Sequence, residues 1–91
     1  MRDMAMFSTA LSVCGHDRVI ATLLDTRIRS TSRIFASASE YRAQRLSSPD
    51  FIGGARIFVA NVSPREGAVD VWVQIDWESD LEVHVSILVD P

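Results

Sequence analysis

The sequence predicts an α+β fold, in which one or two N-terminal helices pack on an antiparallel sheet of three or four strands. Apolar residues recur at every second position over most of 55–90, which is typical of strands, but every three or four positions over 17–46, which is typical of a helix. Short polar connections between the C-terminal strands favour antiparallel neighbours. We therefore predict one domain over 1–91, with a mainly helical cover segment at 1–50 and a β-meander at 55–90.

The helical prediction rests on spacing, because apolar and near-apolar side chains recur at helical intervals. Asp17 is of a residue type that caps helix N-termini, and the stretch from Ser37 to Glu40 matches a capping box, which predicts a second short helix. However, 26–37 is rich in Thr, Ile and Ser, which suit a strand equally well. If 18–36 is extended, the chain forms an all-β sandwich instead. The helically spaced residues are Ile20, Leu24, Ile28, Thr31, Phe35, Ala38 and Tyr41.

Strands are predicted at 55–62, 68–77 and 81–89, and weak alternation over 4–13 predicts a fourth. The register that keeps like faces together pairs 77 with 81 and 75 with 83 in one hairpin, and 59 with 71 and 57 with 73 in the other. One face is then an unbroken apolar surface, which we expect to be the core. Its residues are Ala55, Ile57, Val59, Val69, Val71, Val73, Ile75, Trp77, Leu81, Val83, Val85, Ile87 and Val89.

The second face of this predicted sheet carries both apolar and charged side chains, so we expect it to be covered. At one end Phe58 lies opposite Trp72, and we predict a protein interface there. At the other end a polar group, in which Asp76 lies opposite Glu82, is a candidate ligand-binding site. The predicted interface residues are Phe58, Val62, Trp72 and Leu88, and the candidate ligand-binding residues are Arg56, Gln74, Asp76, Glu82 and His84.

Two carboxylates directly opposite each other destabilise a strand pair unless something neutralises them. The first interpretation is an arginine of the same chain, and the alternatives are water, a cation or a shared proton. A cation site built from alternate acidic residues lacks the glycine and the spacing of a calcium loop, so we expect no metal. The candidate arginines are Arg27, Arg29, Arg33 and Arg56, and the acidic residues are Asp76, Glu78, Asp80 and Glu82.

Charge is distributed unevenly along the chain. All nine basic residues are arginines within 1–65, where they face five acidic residues, whereas 66–91 contains seven acidic residues and no basic one. We interpret this asymmetry as two segments that pack together and neutralise each other. A basic arm for an anionic partner is the alternative, but the net charge of −3 argues against nucleic acid.

The remaining sequence features limit the possible classes of function. Cys14 is the single cysteine, so no internal disulfide forms, and neither a signal peptide nor a membrane span is predicted, which together favour an intracellular location. We find no catalytic triad ordering, paired-cysteine motif or phosphate-binding glycine loop, and we expect no cofactor. The sequence therefore predicts a small non-catalytic domain that associates with itself or with another subunit. The alternative is a ligand-binding or enzymatic site on the second face.

Overall fold

A computed structural model describes residues 5–41 and 55–91, which form six β-strands in two three-stranded sheets. Sheet A has the order β1-β6-β3 and sheet B has the order β2-β5-β4, with all neighbours antiparallel. The sheets pack face to face around one core, as a β-sandwich. The strands are β1 (Phe7–Gly15), β2 (Asp17–Leu24), β3 (Arg33–Glu40), β4 (Arg56–Arg65), β5 (Ala68–Asp76) and β6 (Leu81–Asp90).

The prediction of N-terminal helices is wrong, because the described residues contain no helix and the alternative, an all-β sandwich, is what forms. Val19, Ala21 and Leu23 pack against the core from β2 with a period of two. Ile20 and Leu24, on the opposite face, are 51% and 75% exposed. Apolar residues on both faces of β2 therefore imitated the spacing of a helix.

The second predicted helix, near residue 37, is also wrong, since Ser37 to Glu40 lies within β3. The part of the cover segment at 42–50 lies outside the described residues. The predicted N-terminal strand is confirmed as β1. The three C-terminal strands are confirmed as well, with ends that differ from the prediction by up to three residues.

The core is dominated by the two central strands, β5 and β6, which lie in different sheets. Their inward side chains are β-branched and at most 1% exposed, and they face each other across the sandwich. The predicted core residues are confirmed with two exceptions, Ala55, which precedes β4, and Trp77. Trp77 is 43% exposed, because it belongs to the connection that leaves sheet B. The buried residues of the two strands are Val69, Val71, Val73, Ile75, Val83, Val85, Ile87 and Val89.

The predicted hairpin between β5 and β6 is wrong, because the connection at 77–80 arches from sheet B to sheet A. Side-by-side pairing would place both apolar rows on one face, which a further layer would have to cover. When β5 and β6 lie in opposite sheets, the apolar side chains of each strand cover those of the other. The connection at 77–80 therefore closes the core without a further layer. Consequently, Glu82 lies opposite Cys14 of β1 and not opposite Asp76.

The hairpin between β4 and β5 is confirmed, but its register differs by two residues from the prediction. Val59 pairs with Val73 and Ile57 with Ile75, and a bulge after Val59 brings Asn61 opposite Trp72. A shift of two residues preserves which side chains face inward. The prediction therefore assigned the faces of this hairpin correctly as far as Val59. Beyond it the bulge reverses them, so Val62, which was predicted on the second face, points into the core.

A tight corner at residue 16 carries the chain from sheet A into sheet B. β1 ends at Gly15 and β2 begins at Asp17, whose φ of 65° lies in the left-handed region. A Cβ atom on Gly15 would lie 2.6 Å from Cγ2 of Val19. Asp17 is thus a corner residue and not the helix cap that the sequence predicted.

The connection between β2 and β3 packs against the turn between β4 and β5. The amide of Asp25 donates to the carbonyl of Gly67 at 3.0 Å, and the amide of Gly67 donates to the carbonyl of Ile28 at 2.8 Å. Ile28 is buried there, and the amide of Ser30 donates to the Glu66 carboxylate at 2.8 Å. These bonds fix the connection against sheet B.

We expect Gly15→Ala to destabilise the fold by about 1–3 kcal/mol, because the added methyl group overlaps Val19 at the corner. Chemical denaturation measures the change in the free energy of unfolding. The control is the same substitution in a Val19→Ala background, where the overlapping atom is gone and the cost of Gly15→Ala should shrink. An equal cost in both backgrounds would show that crowding against Val19 is not the cause.

Candidate functional site

The fold divides the sequence-predicted site residues between two opposite surfaces of the sandwich. Five lie on β4 and β5 and belong to the outer face of sheet B, whereas three lie on β6 and belong to the outer face of sheet A. Val62 packs inward against the core. The sheet B group is Arg56, Phe58, Trp72, Gln74 and Asp76, and the sheet A group is Glu82, His84 and Leu88.

An apolar row crosses the outer face of sheet B from β2 to β4. Ile20 lies directly opposite Trp72, and Phe58, opposite Gln74, is the diagonal neighbour of Trp72. Ile20 is 51% and Phe58 41% exposed, and Trp72 is half-buried between its neighbours. Ile20 is not among the predicted interface residues, because its helical spacing assigned it to a helix. Period-two alternation within 17–24 was the signal that could have found it.

Two arginines lie over the aromatic rings of this row. The guanidinium carbon of Arg18 is 5.0 Å from the centroid of the Trp72 ring, and that of Arg56 is 5.5 Å from the centroid of Phe58. Both distances are within the range of a cation–π interaction. The arginines therefore pack over the rings and line the apolar row with positive charge.

Asp76 is neutralised within the chain by Arg56, one of the candidate arginines, although the predicted position of Glu82 opposite Asp76 is wrong. Its Oδ2 lies 3.3 Å from Nε of Arg56, the residue opposite on β4. Nε2 of Gln74 donates to Asp76 at 3.1 Å and to Asp17 at 3.4 Å. One side of the apolar row is thus bordered by a connected group of polar side chains.

A second polar group borders the opposite side of the apolar row. Oγ1 of Thr22 donates to Oδ1 of Asp70 at 2.8 Å, and Nε of Arg65 lies 3.4 Å from Oδ2 of Asp70. The hydrogen bond from Thr22, and then the hydrogen bond and charge of Arg65, lower the pKa of the Asp70 carboxyl. An apolar centre with a bordering ring of paired charges is the composition of many protein interfaces.

The outer face of sheet A has a different character. Small side chains predominate there, and an open trough of about 540 Å³ is lined by Ala10, Phe35, Ser37, Ser86 and Leu88 with their neighbours. The His84 ring packs edge-on against Tyr41 at a centroid distance of 5.6 Å. Because His84 and Glu82 lie here, they are separated by the whole sandwich from the other three candidate ligand-binding residues.

Ion pairs between the two halves of the chain confirm the packing interpretation of the charge asymmetry. Nη2 of Arg33 lies 2.5 Å from Oδ2 of Asp90 across β3 and β6. The pairs of Arg56 with Asp76 and Arg65 with Asp70 also join the basic segment to the acidic one. These arginines are therefore engaged by the protein's own carboxylates.

Comparisons with known proteins assign no relative: no family model matches the chain, and no curated protein or solved structure is significantly similar to it. Within 5–41 and 55–91, no three His, Cys, Asp or Glu side chains are grouped so that they could hold a metal ion. The same described residues include no helix with the length and hydropathy needed to cross a membrane.

We expect the Asp70 carboxyl to titrate below its ordinary pKa of 3.8, and Thr22→Val to shift that pKa upward by removing the main hydrogen bond. Because the folded-state pKa is lowered, Asp70 stabilises the fold above its unfolded-state pKa and loses this effect as the pH falls through the folded-state value. Carboxyl-detected NMR titration of both proteins measures the two pKa values.

The control for this titration is Thr9→Val on β1, in the other sheet, which should leave the Asp70 pKa unchanged. Titration of Asp70 at or above 3.8 in the unmodified protein would contradict the role of the Thr22 hydroxyl.

Proposed function

We propose that this domain acts by association, through the outer face of sheet B. The observation that carries the proposal is the apolar row of Ile20, Trp72 and Phe58, two of whose members remain about half exposed in the isolated chain. Contiguous apolar surface bordered by polar groups is typical of binding surfaces in soluble domains. We infer no catalytic role for this face.

The arrangement of the row supports tight contact with a partner. Tryptophan and arginine are the side chains most enriched among residues that dominate binding energy, and here Arg18 already packs over Trp72. A ring that is fixed before binding loses little conformational entropy in the complex. The row therefore offers both the chemistry and the order that an interface core requires.

A second copy of the chain is the partner that this surface fits best. Charges of both signs border the row, with Arg18 and Arg56 near Asp17 and Asp76. Rotation about a two-fold axis can then place arginines of one copy near carboxylates of the other. A different subunit with an apolar patch is the other form of the same proposal.

The alternative of a single ligand-binding site is less well supported by the fold. Arg56, Gln74 and Asp76 are together, but they are engaged with one another and with Asp17. Glu82 and His84 lie on the opposite surface of the sandwich. The five candidate residues therefore share no common pocket.

We expect Ile20→Lys to weaken self-association at least about tenfold, since it places an unpaired charge in the centre of a desolvated contact. The monomer should fold normally, because Ile20 is 51% exposed in the single chain. The matched control is Phe35→Lys, which changes a residue that is 59% exposed on the outer face of sheet A. Sedimentation velocity over a range of protein concentrations measures the association constants.

We expect Trp72→Ala to lower the stability of the associated protein by about 2–4 kcal/mol, and to remove any dependence of the unfolding midpoint on protein concentration. Denaturation at two concentrations measures both effects. A mutant with unchanged stability and unchanged mass would contradict the proposal that protein covers this face. A loss of stability that is the same at both protein concentrations would show that Trp72 packs within one chain.

A further inference from the structure

The free edge of β1 is a second surface with an unusual composition for its position. β1 is a nine-residue strand at the edge of sheet A, and β6 is its one sheet neighbour among the described residues. Its pairing with β6 is continuous from Phe7 to Gly15, without a bulge. The strand contains no charged residue and no proline.

The other three edge strands have features that prevent further pairing. β4 carries a bulge after Val59 and a proline at position 64, in addition to two arginines. β2 begins with Asp17 and Arg18, and β3 is bounded by Arg33 and Glu40. Charges, prolines and bulges are the means by which edge strands avoid binding other strands. β1 is the edge strand that lacks all of them.

We propose that β1 pairs antiparallel with β1 of a second copy about a two-fold axis, joining two sheets A into one six-stranded sheet. The free edge presents backbone donors and acceptors, which an extended strand satisfies completely. A register centred on Leu11 places Ala10 opposite Ser12 of the second copy and Ser8 opposite Cys14 of the second copy. This register keeps the inward side chains of both copies on the core side and opposes no charges.

The composition of β1 favours a second copy as the occupant. In a register centred on Leu11, every residue of the strand faces an uncharged residue of the second copy, so the two edges are complementary. β1 lies at the edge of sheet A away from β3, beyond β6.

The edge contact and the proposed contact through the outer face of sheet B use different surfaces and can coexist. The two-fold axis of an edge pair is perpendicular to the sheet, whereas the axis of a face-to-face pair lies parallel to it. Perpendicular axes that intersect generate a closed tetramer. The edge proposal does not depend on the proposed function, because either contact alone yields a dimer.

The test compares two double substitutions on sheet A by sedimentation velocity over a range of concentrations up to several hundred micromolar. Ala10→Lys/Ser12→Lys places lysines opposite lysines in the edge pair, and should weaken that association at least about tenfold. Ser37→Lys/Ser39→Lys is the matched control on β3. Ser37 and Ser39 pair with Ser86 and His84 of β6, which are also the partners of Ala10 and Ser12 on the other side of β6. The control should associate as the unmodified protein does.

Crosslinking tests the register independently. In the Ser8→Cys variant, oxidation should join the new cysteine to Cys14 of the second copy, because directly opposed residues of an antiparallel pair lie within disulfide range. The unmodified protein, whose single Cys14 lies opposite Ser8 in this register, should form far less covalent dimer.

The outcomes separate the two contacts. Loss of association in Ala10→Lys/Ser12→Lys but not in the β3 control supports the edge pair, and equal loss in both overturns it in favour of contact through the outer face of sheet A. A protein that remains at 10.1 kDa at every concentration also overturns it. Ile20→Lys acts on the other contact, so a protein whose mass responds only to Ile20→Lys refutes the edge pair and retains the proposed function.

Discussion

The stacking of β5 on β6 across the sandwich is the interaction on which the rest of this structure depends. Both strands are central in their sheets, and their inward valine and isoleucine side chains are removed almost completely from water. Burial of such side chains is the main favourable term in folding a domain of this size. The outer strands then serve two purposes, since they complete the hydrogen bonding of the central strands and cover the margins of the core.

This arrangement also decides what each outward face can do. Because β5 and β6 belong to different sheets, their outward side chains point in opposite directions and cannot cooperate in one site. Sheet B presents a row of apolar side chains with stacked arginines, whereas sheet A presents small side chains and an open trough. The two faces therefore differ in chemistry, and the apolar one is the better candidate for a contact with protein.

Charge pairing follows the same geometry. Three arginines of the first part of the chain, Arg33, Arg56 and Arg65, lie on β3 and β4 beside acidic residues of β5 and β6. These pairs are exposed, so each contributes little to stability. Their more important consequence is that these three guanidinium groups are held beside carboxylates of the same chain.

Period-two alternation within 55–90 determined the positions of the C-terminal strands and which side chains they bury, because alternate residues of a strand point to opposite faces. The same residues could not reveal whether β5 and β6 lie side by side or one above the other, since both arrangements bury the same rows. That choice moved Glu82, His84 and Leu88 to a surface distant from Trp72. The choice between these two arrangements depends on how the whole core packs.

In the N-terminal half, the sequence by itself determined less. Ile20, Leu24 and Phe35 are apolar but point outward, so their spacing imitated a helix, although 18–36 also contained the β-branched residues of the sandwich alternative. Tertiary structure decided between the two, because the apolar inner face of each sheet is covered by the other sheet. It also decided the corner at Gly15 and Asp17, where the close approach to Val19 arises only after β1 and β2 enter different sheets.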